Sequence, residues 1–147
     1  MAIAKDKIKE VIDLYKADFT RIDKDERYKW IAVKHFQDNW NVDSLDFADM
    51  LERSFAKHIN LLDSGVARPL GVMVSFAKRE HETVRSLFRT LFDETQPLES
   101  RMSDFISGTE LFVSKMKEED AGWKSTFQDQ HAISVYLTFR YPENYYI

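Results

Sequence analysis

The chain has 147 residues, 44% of them hydrophobic and 31% charged, with a net charge of −4 and no cysteine. That length suffices for one domain with a real core, and the missing cysteine excludes disulfides, thiolate chemistry and cysteine-based zinc sites. Four glycines and three prolines leave few tight turns, which argues against an all-β sandwich or barrel.

Charge is evenly spread: residues 1–74 carry 12 basic and 13 acidic groups, residues 75–147 carry 9 and 12. No basic tail or block marks a nucleic-acid footprint. The opening MAIAKDKIKEVIDLYK lacks the apolar core of a signal peptide, and no run reaches the roughly 18 apolar residues of a membrane span. A cytoplasmic location without membrane association is expected.

Ile8, Val11, Ile12, Tyr15 and Phe19 fall at helical spacing, which predicts a first helix over about Ile3 to Phe19. Ile22-Asp23 interrupts the pattern, and Asp23 with Glu26 three residues on reads as a capping box for a second helix. That helix should run to about Trp40 through Tyr28, Ile31, Ala32, His35, Phe36 and Trp40, widened by Trp30 and Val33. Asp43 is the expected cap of a third helix, with Val42 stapling onto Phe47, followed by Leu45, Ala48, Leu51, Phe55 and Ile59.

Residues 67–77 fit a helix opened by Pro69 or a short buried strand; helix is preferred, since no partner strand lies nearby. Glu80 to Phe92 is amphipathic through Val84, Leu87, Phe88 and Leu91. Thr95 is the expected cap of the next helix, whose Leu98, Met102, Phe105, Phe112 and Met116 form a heptad-like seam weakened around Gly108. Glu118 to Gly122 reads as a loop. Ile133 to Arg140 alternates with period two, yet also forms a helical face that Pro142 would end; helix is again preferred.

No phosphate-cradling loop is present. Gly65 and Gly71, the nearest pair, are separated by five residues and followed by Val72. The four histidines show no ligand spacing, and His35 on the apolar stripe reads as a hydrogen-bonded core residue. No cofactor, metal or catalytic residue is assigned. Lys78, Arg85 and Arg89 would share one face if the helix ran through from Lys78, with Glu82 beside them. That face is either a DNA contact or a solvated, ion-paired surface. Trp123-Lys124 after the acidic loop is either an exposed stacking pair or a core anchor with its neighbour. Lys78, Arg79, Arg85, Arg89 and Lys124 are thus the candidate DNA-binding residues.

Three stretches carry a family resemblance: WIAVKHFQDNW (Trp30 to Trp40), FAKREHETVRSLFRTLFDE (Phe76 to Glu94) and ISVYLTFRYPENYYI (Ile133 to Ile147). Together they resemble the N-terminal region of bacterial McrB-type AAA+ proteins, the nucleotide-driven motors of modification-dependent restriction systems. The resemblance implies a motor domain after this region, DNA recognition or motor positioning within it, and a nuclease subunit or further copies as partners. It carries no family functional residue onto this sequence. The aromatic ending, with four of six tyrosines in the last twelve residues, fits a chain cut from a longer protein where a strand begins near Tyr145. The expectation is one all-α domain over residues 1–147, a compact bundle of six or seven helices.

Overall fold

The computed structural model describes residues 2–57, 61–63, 68–120, 122–123 and 125–146, including side chains apart from those of residues 2–4 and 19–26. The fold is all-α, as expected. The described helices are α1 (Ala2–Asn39), α2 (Phe47–Ser54), α3 (Pro69–Arg79), α4 (His81–Leu91), α5 (Leu98–Glu119) and α6 (Gln130–Arg140). No strand occurs among the described residues; Tyr145 and Tyr146 lie in irregular backbone, which corrects the strand expected there.

The chain divides into two compact units, Met1–Ile31 and Ala32–Ile147. The described residues of the first, 2–31, all lie within one uninterrupted α1. The expected break at Ile22-Asp23 does not occur. Neither residue is Gly or Pro, and modest-propensity residues only weaken a helix. The apolar stripe of this unit is exposed: Ile8, Val11, Ile12 and Tyr15 are 45–64% accessible. Phe19 lies outside the described side chains.

The second unit owns the core. Here Ala32, Val33 and Phe36 are buried, and Trp40 is half-buried among aromatic rings. Phe36 stacks on Trp40 at 5.1 Å and meets Phe55 at 4.9 Å, while Trp40 meets Phe88 at 5.5 Å. Phe88 and Phe55 each touch the Tyr136 ring at 5.4 Å. A second aromatic group joins Phe76 to Phe112 at 4.3 Å and to Trp123 at 5.4 Å. Trp123 is therefore the core anchor, not an exposed stacking surface.

Residues Asn41 to Asp46 turn the chain into α2. The cap is Asp46, whose Oδ1 accepts from the Asp49 amide at 3.1 Å, not Asp43. The helix thus starts later than expected and leaves Leu45, expected on that helix, outside it and almost fully exposed. Ile59 falls outside the described residues. Pro69 opens α3 at its first position, where a missing N–H costs nothing. Asp63 accepts from the Leu70 amide at 3.0 Å and satisfies another of that helix's initial donors.

Glu80 alone separates α3 from α4, in an extended conformation (φ −142°, ψ 75°). α4 packs on α5 and on α3, and α3 packs on α2. Gly108 sits where α4 and α5 approach: a Cβ there would lie 2.4 Å from Leu87 Cδ2. The cap expected at Thr95 is not used. Its hydroxyl and amide instead bond Asp93 Oδ1 at 2.6 and 3.1 Å, and Pro97 stands at the start of α5.

The segment before α6 holds Phe127 at φ 55°, a left-handed conformation that a bulky residue rarely adopts. Its neighbour Gln128 is buried and fixes the turn. The Gln128 amide donates to the Pro69 carbonyl at 2.8 Å and accepts from the Tyr136 hydroxyl at 2.8 Å. Asp129 then caps α6, accepting from the Ala132 amide at 2.9 Å. α6 is buried from Ala132 to Phe139 except at Ser134, so it is apolar on nearly every side.

Candidate functional site

The four candidate cations among the described residues do not assemble into one face. Because Glu80 interrupts the helix, Lys78 and Arg79 belong to the last turn of α3, and Arg85 and Arg89 to α4. Lys78 is exposed and lines a shallow hollow with Leu45, Ala77 and His81. Lys124 lies outside the described residues.

Arg85 is buried, only 5% exposed, beneath the outward face the sequence suggested. Its Nη1 donates to the Val42 carbonyl, its Nε pairs with Glu82 Oε1 at 3.2 Å, and its Cζ lies 5.0 Å from the Phe47 ring centre. One turn on, Arg89 pairs with Asp43. The two arginines therefore grip consecutive residues, Val42 and Asp43, and clamp the Asn41–Asp46 turn onto α4. A side chain at position 85 follows the same face as Phe88 and Phe92, and this placement was the sequence signal for burial.

Arg79 pairs with Glu119 at 2.6 Å, and Glu80 pairs with Lys115 at 2.9 Å. These two bonds strap the α3–α4 junction to the end of α5. The Lys115 hydrogen bond holds the Glu80 carboxyl below its ordinary range, and Glu80 in turn raises the Lys115 ammonium. The Thr95 hydroxyl and then its amide hold Asp93 low in the same way. Burial pushes the Tyr136 phenol well above its ordinary value, so this hydroxyl stays neutral.

A highly connected cation, Arg101, is one that sequence reasoning passed over. Arg101 is 3% exposed and donates to the carbonyls of Leu91 (2.7 Å) and Gln96 (3.0 Å), to Glu94 Oε2 (3.0 Å) and to the Tyr145 hydroxyl (3.1 Å). Tyr145 donates in turn to Glu94 Oε2 at 3.0 Å, and the Tyr141 hydroxyl donates to the Phe92 carbonyl at 2.6 Å. A positive group at the end of α4 meets the negative end of the helix dipole there. The node ties the tyrosine-rich segment to the α4–α5 corner.

Two histidines are held by backbone carbonyls: His35 Nε2 lies 2.9 Å from Arg53 O and His131 Nε2 lies 2.9 Å from Leu61 O. His35 is half-buried and hydrogen-bonded, close to the expected role. His58 lies outside the described residues. Among the described residues no group of three or more His, Asp or Glu stands together as a metal site, and no helix is long and apolar enough to cross a membrane.

Comparison with protein-family models, with curated proteins and with solved structures gives no match.

Proposed function

We propose that this chain is a non-catalytic N-terminal domain of a restriction-type AAA+ NTPase, and that it works by docking onto protein and positioning the motor. One observation carries the choice of protein over DNA. Three of the five cations on which DNA contact was expected to rest are already engaged: Arg85 is buried, while Arg79 and Arg89 are each bonded to a carboxylate. Residues 32–147 also carry 13 basic against 18 acidic groups, a balance that repels a polyanion. The proposed family rests on the three resembling stretches of sequence.

The partner on this reading is a nuclease subunit or another copy of the same protein. The test is a fluorescence titration of the chain with labelled duplex DNA at low salt, beside calorimetric titrations with ATP and with GTP. The expected result is no nucleotide heat and DNA binding no tighter than about 10⁻⁴ M, the weak end of non-specific association. Micromolar nucleotide binding would overturn the non-catalytic assignment, and sub-micromolar DNA binding would return the domain to DNA recognition.

A further inference from the structure

We draw no further inference here: the strongest candidate, the exposed apolar stripe of Ile8, Val11 and Ile12 along the first half of α1, is a helix face for which nothing in the structure shows what covers it.

Discussion

Arg85 separates the two readings of the α4 surface, because its substitution has opposite consequences under each. Arg85→Ala removes a hydrogen bond from a charged donor to the Val42 carbonyl, worth about 1.5–3 kcal/mol. The Glu82 side chain is 71% exposed, so that ion pair adds at most about 1 kcal/mol. The guanidinium over Phe47 adds about 0.5–2 kcal/mol. These contributions share one side chain and overlap, so the variant should lose about 2–4 kcal/mol in total, packing of the aliphatic stem included. For a domain of this size that is a fall of roughly 10 °C in the thermal midpoint. Arg89→Ala is the control. Arg89 and Asp43 are 52% and 74% exposed, which limits the loss to about 1 kcal/mol. Arg85→Met retains the stem and should recover part of the lost stability. The assay is urea and thermal denaturation followed by circular dichroism, with all three variants beside wild type. If Arg85→Ala melts where wild type does, Arg85 is a surface residue and the clamp on the 41–46 turn is wrong.

Three further outcomes are expected. Phe88→Ala should cost about 3–5 kcal/mol, because the ring is fully buried and meets Trp40, Phe105 and Tyr136 at 5.3–5.5 Å; an unchanged urea midpoint would disprove that packing. Thr138→Val should leave stability unchanged or raise it by about 1 kcal/mol, since the buried Thr138 hydroxyl has no hydrogen-bond partner among the described residues; a clear loss in denaturant titration would show that the hydroxyl is in fact bonded. Glu80 and Asp93 are both held below their ordinary range in the folded chain. Their contribution is therefore present above the unfolded carboxylate range and is lost as pH falls through the lowered folded values. Lys115→Met releases Glu80, so this variant should lose less stability than wild type between pH 5 and pH 3; equal losses would refute the pairing.

Helix identity was largely legible in the sequence, while boundaries and burial of charge were not. Proline at position 69 and the apolar period of residues 80–92 marked α3 and α4 because each carries an amphipathic face. α6 was ambiguous for a physical reason: a helix buried on nearly every side has no polar face to betray its period. The expected break at residues 22–23 failed because a carboxylate three residues before another resembles a cap whether or not the helix begins there. Asp43 and Asp46 both precede a hydrophobic run, and only the fold selects Asp46. The cationic face was read by spacing alone, which assumed that arginine seeks solvent. Position 85 lies in line with Phe88 and Phe92, and position 101 lies one turn before the buried Phe105. A cation in line with buried rings is held inward when carbonyls are available to receive it. The acceptors, Val42 for Arg85 and Leu91, Gln96 and Tyr145 for Arg101, come from turns, from the end of α4 and from a distant segment. No local pattern announces them.

The salt dependence of DNA association tests the central claim most directly. Each phosphate neutralised contributes about −0.9 to the slope of log K against log salt. A face built from Lys78, Arg79, Arg85, Arg89 and Lys124 would give a slope of roughly −4.5. With Arg85 buried and Arg79 and Arg89 bonded to carboxylates, the slope should be no steeper than about −2, with association already weak at low salt. The measurement is an anisotropy titration of labelled duplex over a series of salt concentrations. Weak binding with a shallow slope is what a protein-docking domain predicts; tight binding with a slope near −4.5 would contradict it.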